Sequence, residues 1–226
     1  MLQNQLTALF THASKIYDLS NNPCRKVKKM GKSDSERMDF WTKDEYDNFI
    51  CTFDEDIRYK VIFEILFWTG CRIGELLALT KKDFDLHSNL LNINKTYYRF
   101  KCQDIITKPK TEQSNRTIAI PDFLKNEVIT YMESLYEYPD DERLFPISIE
   151  AVQHMMKRRI AKAEVKKIRV HDLRHSHVAF LINQEVQPLL IKERLGHADI
   201  KITMNTYGHL YPNKQRDLAM MLDAVR

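Results

Sequence analysis

The chain has 226 residues, a net charge of +4 with its histidines neutral, 43% hydrophobic residues and four cysteines. That length buries one sizeable core without help from disulfides or metal, and Cys24, Cys51, Cys71 and Cys102 form no C-x-x-C pair, so reduced thiols in a cytosol-like compartment are expected. No apolar run approaches the roughly 20 residues of a membrane span, and the N-terminal segment lacks a signal peptide's apolar centre, which predicts a soluble, cytoplasmic protein with no membrane contact.

Residues 1–22 carry Leu2, Leu6, Leu9, Phe10, Ala13, Ile16 and Tyr17 at helical spacing. One amphipathic helix cannot bury its own face, so this one is expected to belong to a missing domain or a partner. A basic linker follows over 23–38, in which "RKVKKMGK" holds five Lys or Arg and no acid. The main domain is expected over 39–210. Thr42, with Glu45 three residues on, has the pattern of a capping box. The apolar run "IRYKVIFEILFWTG" predicts a buried helix ending at Gly70, and "RIGELLAL" predicts another starting almost at once. Three β-prone stretches come next, "LLNIN", "DIITKPK" and "RTIAIP". They predict a small three-stranded antiparallel sheet on one edge, with the last two forming an exposed hairpin across "TEQSN". The remainder reads as helices opened by Pro121-Asp122 and capped by Ser148, then "HDLRHSHVAFLI", "QPLLIKERLG" and "DIKITMNTYGHL", with a tail helix over 211–226. The fold class is α+β, mainly α.

The charge is polarised: "EYPDDE" at 137–142 is acidic, whereas "HMMKRRIAKAEVKKIR" at 154–169 sets seven Lys or Arg against a single Glu. By base rates such a stretch is a solvated helix face. Within "HDLRHSHVAF", His171 and His175 stand four apart on one helical face, a spacing that suits metal binding, but no zincin Glu and no third ligand accompany them. His175 and His177 read as histidines satisfying local hydrogen bonds. Arg72, directly after "WTGC", is placed either to clamp an anion or simply to pair with Glu75 three residues along.

Taken jointly, "TGCRIGELLAL", "HDLRHSHVAFLI" and "LGHADIKITMNTYGHL" occur in an order and at separations that resemble the catalytic domain of the tyrosine recombinases, the phage-integrase family. The resemblance spans about residues 39 to 215 and is greatest to integrases of bacterial mobile elements. It implies the tyrosine-recombinase catalytic fold and, position by position, a catalytic set of Arg72, His171, Arg174, His197 and the nucleophile Tyr207, with Glu75 supporting Arg72. The lysine that the family carries on a β-hairpin falls on Lys110, with Lys108 two residues away as the rival and otherwise a backbone-phosphate contact. His209 and Tyr211 lie near enough to compete for the motif, but "NTYGH" selects Tyr207. Arg116, Lys157, Arg158 and Arg159 are expected to contact DNA.

The resemblance implies a site-specific recombinase that cleaves and rejoins DNA through a 3′-phosphotyrosyl intermediate with no metal or other cofactor. Arg72 and Arg174 would hold the non-bridging phosphate oxygens, Lys110 would protonate the departing 5′-oxygen, and His171 would accept the proton of Tyr207 or touch the phosphate. His197 would hydrogen-bond a phosphate oxygen. The implied partners are double-stranded DNA attachment sites and other protomers in a DNA-bound tetramer; the 211–226 tail either docks on a neighbouring protomer, as the resemblance implies, or completes its own core, and the chain is expected to act at the nucleoid and to be monomeric alone. The family also carries an N-terminal domain that closes around DNA, of which only the trailing helix in 1–22 is expected here. Two rivals stay open: a catalytically silent DNA-binding module, and a strand relaxase resembling a type IB topoisomerase.

Overall fold

A helix with no polar face has to be surrounded, and residues 57–69 form such a helix: nine of its thirteen residues are buried. The computed structural model describes residues 2–27, 39–109 and 112–208. Two compact units divide the chain, Met1–Met38 and Asp39–Arg226. In the first, helix α1 (Leu2–Ile16) is followed by a 3₁₀ turn, Pro23–Arg25. Asn22 ties the two together, its amide donating to Thr7 O at 3.1 Å and Thr11 Oγ1 at 3.0 Å while its Oδ1 accepts the Cys24 N–H.

The second unit opens on Trp41, whose backbone N–H donates to Ser176 Oγ at 2.9 Å and whose indole N–H donates to Lys166 O at 2.6 Å. Helix α2 (Lys43–Ile50) carries the capping box expected of Thr42 and Glu45. Helix α3 (Ile57–Thr69) is capped by Asp56 and packs an aromatic cluster: Tyr46 stacks on Phe67 with ring centroids 3.7 Å apart, and Phe49, Phe53 and Phe63 meet edge-on or tilted. It stops at Gly70 in the left-handed region, φ 63°, where any Cβ would lie 2.7 Å from the His177 ring. The second helix, α4, is only one turn, Ile73–Leu76. Beyond it the bonds tighten to i→i+3, with Ala78 N–H on Glu75 O and Leu79 N–H on Leu76 O.

The sheet count matches the expectation, but one member does not. Strands β1 (Phe84–Asp85), β2 (Leu90–Ile93) and β5 (Arg116–Ala119) form the three-stranded antiparallel sheet in the order β1-β2-β5, with Leu91 opposite Ile118. The segment expected as its hairpin strand, β4 (Gln103–Thr107), instead pairs back on β3 (Thr96–Phe100) as a separate two-stranded sheet. The turn between them is Lys101-Cys102, with φ of 48° and 63°, the primed geometry that matches strand twist. The two-residue connection closes at a modestly lower entropy cost than the longer "TEQSN" route, and its turn matches the strand twist, so both favour the local pairing. Tyr97 and Arg143 hold this hairpin to the core: the guanidinium lies 4.1 Å over the Tyr97 ring and pairs with Asp104 at 2.8 Å.

The rest is helical: α5 (Asp122–Glu133) and α6 (Ile149–Ala163), then α7 (Asp172–Asn183), α8 (Pro188–Leu195) and α9 (Ile200–Tyr207). Ser148 caps α6 as expected, but α6 ends at Ala163 because Glu164 turns left-handed, φ 53°. The tail helix expected over 211–226, the rival residues His209 and Tyr211, and Lys110 all lie outside the described residues.

Candidate active site

Five chain segments bring their ends to one place. The first is the stop at Gly70, which leads directly into Arg72. The Arg72 guanidinium donates to Glu75 Oε1 at 2.8 Å, and its backbone N–H donates to Glu75 Oε2 at 2.8 Å. Because α4 is a single turn and that backbone N–H is already engaged, attraction for an anion here comes from the guanidinium rather than from a helix end. The Arg72 side chain is 41% exposed, so it reaches outward from a fixed root.

Beneath it Glu75 is buried, with a side chain 4% exposed. Burial alone would raise its pKa; hydrogen bonds and charge from Arg116, with Arg72 adding to them, reverse the direction and hold it at about 2. Arg116, at the start of β5, forks onto both carboxylate oxygens at 2.9 and 3.2 Å and donates from Nε to Arg194 O at 2.9 Å. Its side chain is 6% exposed. The expectation that Arg116 touches DNA therefore gives way: the guanidinium is spent inside, fixing the carboxylate that fixes Arg72.

Arg174, in the first turn of α7, is buried. It donates to Gly70 O at 2.7 Å and Leu195 O at 2.8 Å, and its Nη2 lies 3.0 Å from His197 Nε2. Burial and then the neighbouring charge of Arg72 push its pKa down to about 10, which still leaves it cationic. His197 follows the left-handed turn at Gly196, φ 67°. Since Arg174 can only donate, His197 Nε2 accepts, and Nδ1–H is left to donate to Thr203 Oγ1 at 2.9 Å. Burial and the adjacent arginines lower this histidine to about 4. His197 is thus arranged here as a neutral acceptor that steers Arg174.

Tyr207, the last residue of α9, is 2% exposed, and burial raises its pKa to about 12. Its hydroxyl lies 2.5 Å from His175 Nδ1. His171, at the N-terminal end of α7, is exposed and sits edge-on to His175 with ring centroids 5.2 Å apart; burial of its inner edge and then Arg174 lower its pKa. Among the described residues no group of three His, Cys, Asp or Glu side chains is placed to hold a metal ion.

The structure thus gathers Arg72, Glu75, His171, Arg174, His197 and Tyr207. His175, read from sequence as supporting, belongs with them; its signal was its helical alignment with His171. Three guanidiniums, Arg72, Arg116 and Arg174, lie around the Glu75 carboxylate, while Asp172, the other carboxylate near the phenol, is paired with Arg169, leaving a positive centre close to Tyr207. Such a centre suits an anionic oxygen on a phosphorus or carbon that the phenol could attack.

The expected DNA contacts divide. Lys157 is exposed and lines a groove of about 790 Å³ together with Ile73, Met156, Lys167 and His171. Lys108 and Arg158 are also exposed. Arg159 is otherwise occupied: it donates to Thr52 O at 2.5 Å and covers the Phe53 ring at 4.7 Å, so it clamps α6 to the segment after α2. His177, 1% exposed and accepting from Arg194 Nε at 3.1 Å, is part of the interior.

The Phage integrase family model matches residues 39–214. The ICEBs1 integrase of Bacillus subtilis strain 168 is 33% identical across 95% of this chain and 64% of its own length. The integrase of a Staphylococcus phage is 32% identical across 76% of this chain and 55% of its own. This chain therefore spans between about half and two thirds of these relatives. Among solved structures, the Tn1549 transposon integrase in complex with transposon right end DNA matches with a TM-score of 0.83 at 22% identity, covering 99% of this chain and 78% of that one. The catalytic domain of bacteriophage HP1 integrase matches with a TM-score of 0.57 at 22% identity, covering 81% of this chain and 94% of that one. These structural likenesses establish a tyrosine-recombinase catalytic fold.

Proposed function

The chain belongs to the phage integrase family, and from that premise we propose that its 39–226 unit is the DNA-cleaving and rejoining part of a site-specific recombinase of a bacterial mobile element. The observation that carries this reading is the cationic centre of Arg72 and Arg174, rooted on Glu75 and Arg116, beside the buried phenol of Tyr207.

Tyr207 Oη attacks the phosphorus of a DNA phosphodiester; the bond to the 5′-oxygen breaks, leaving a 3′-phosphotyrosyl link and a free 5′-hydroxyl. The phenol gives up its proton to an imidazole of α7, and Lys110, assigned by the family motif alone, protonates the leaving oxygen. Arg72 and Arg174 neutralise the charge that grows on the non-bridging oxygens, supplying what a metal ion supplies in other phosphoryl transfers. His171 lies at the exposed edge for contact with the scissile phosphate, and His197 keeps Arg174 aimed. Because the link conserves the energy of the broken bond, another strand's 5′-hydroxyl can reverse the step without ATP. Lys108, Lys157 and Arg158 supply phosphate contacts along the duplex. Partner protomers, engaged through residues 211–226 in a DNA-bound tetramer, complete strand exchange.

The test is covalent capture. A pool of nicked duplexes of randomised sequence is incubated with the chain and resolved by denaturing electrophoresis. Wild type is expected to form a protein–DNA adduct that persists in EDTA and is absent in Tyr207→Phe. An adduct that survives Tyr207→Phe overturns the nucleophile. Duplex binding with no adduct from wild type favours a silent DNA-binding module instead, and relaxation of supercoiled plasmid without exchange favours a relaxase.

A further inference from the structure

The proton of Tyr207 has an acceptor that the family motif does not assign. We propose that His175, not His171, takes the proton from Tyr207 as the phosphotyrosyl bond forms; this rests on Tyr207 being the nucleophile. His175 Nδ1 lies 2.5 Å from Tyr207 Oη, with the ring centroids 5.6 Å apart. Among the described residues His171 makes no hydrogen bond to that hydroxyl. Tyr207 is 2% exposed, so bulk water has little access to the phenol, whereas His175 is half-buried and can pass a proton outward.

The transfer uses the tautomer in which the phenol donates to Nδ1 and the ring's own proton sits on Nε2. His175 is faced by His171, Asp172 and Arg174 of its own helix, by Arg169 just before it, by His197 from the turn after α8 and by Tyr207 from α9. Burial first and His171 next push its pKa below the usual histidine value, while burial pushes Tyr207 up to about 12. Transfer between the two at rest is therefore strongly uphill. It becomes favourable only as Oη bonds to phosphorus, which collapses the pKa of the phenolic proton. The O–H bond breaks, Oη–P forms, P–O5′ breaks, and the 5′-oxygen receives its proton from the general acid. The imidazolium left behind, beside two arginines, readily returns its proton to Tyr207 when the link is reversed.

Single-turnover adduct formation tests this, on a nicked duplex that wild type captures. His175→Ala is expected to slow adduct formation about a hundredfold with unchanged duplex affinity. His175→Asn, whose side-chain oxygen accepts a hydrogen bond but cannot take up a proton, is expected to stay as slow as His175→Ala, and its recovery to the wild-type rate would reduce His175 to a positioning residue. The wild-type rate falls as pH drops through the His175 pKa, because a protonated Nδ1 cannot accept; in His175→Ala this acid limb disappears. A wild-type rate in His175→Ala overturns the assignment, as does an acid limb that survives there and vanishes in His171→Ala. In either case wild type still forms its adduct, so Tyr207 as nucleophile stands. Failure of wild type to form any Tyr207-dependent adduct overturns the function reading instead. A measurement independent of catalysis uses the chain alone: Tyr207→Phe is expected to shift the NMR titration of His175, and an unmoved titration removes the contact on which the inference depends.

Discussion

Glu75→Gln isolates the root of the cationic centre. The substitution keeps the shape of the side chain but removes the charge that Arg116 and Arg72 share. Burial favours the neutral acid, yet the two guanidiniums hold the group at about 2 against an ordinary 4.5. At about 1.4 kcal/mol per tenfold change in acidity, that difference corresponds to roughly 3 kcal/mol of stability at neutral pH. Its pH window follows from the sign. A carboxylate depressed on folding contributes fully above its unfolded pKa, and the contribution fades as pH falls from about 4.5 toward 2. Urea unfolding of wild type and Glu75→Gln should therefore differ by about 3 kcal/mol near neutrality and converge in acid. The double variant Glu75→Leu/Arg116→Met should cost less than Arg116→Met alone, because the single change strands a buried charge. A neutral-pH difference below about 0.5 kcal/mol, or one that is flat with pH, would refute the reasoning.

Gly74→Ala adds a Cβ 2.7 Å from Tyr97 O and 2.8 Å from Thr96 Oγ1, pushing α4 off β3; a loss of about 1–3 kcal/mol in urea unfolding is expected, and an unchanged midpoint would show that the contact is slack. Lys157→Ala and Arg159→Ala separate an exposed cation, proposed to meet DNA, from a structural one. The first should lower duplex affinity and reduce the salt slope by about 1 while leaving unfolding alone. The second should leave affinity intact and cost about 1–2 kcal/mol of stability, through loss of the Thr52 bond and the Phe53 contact.

Features set by a few neighbouring residues were readable in the sequence. Thr42 and Ser148 cap helices where their side chains predict it, and Gly70 stops α3 because only a left-handed turn lets the chain leave. The hairpin partner was misread because Lys101-Cys102 lacks the Asn-Gly signature of a primed turn, although it adopts that geometry. Strand β1, two residues long, falls below any periodicity. Arg116 and Arg159 were assigned outward because charge in a sequence does not reveal where a long side chain ends. Arg116 finds Glu75 across 41 residues and Arg159 finds Thr52 across 107. His175 was undervalued for the same reason, since its partner is 32 residues away. The motif residues were recognised together, but that Arg174 is aimed by His197 and two carbonyls emerges only from packing.

Those two carbonyls have a consequence for how such a protein is made. Arg174 is seated on Gly70 O, 104 residues earlier, and on Leu195 O, 21 residues later. During synthesis the guanidinium emerges before its second anchor exists, and Tyr207 emerges later still. The seat of this guanidinium is therefore complete only after Leu195 has emerged and packed, and a nascent copy short of it has charge without aim. Under the proposed function, competence to break a strand arrives only once both anchors of Arg174 and the later Tyr207 are in place.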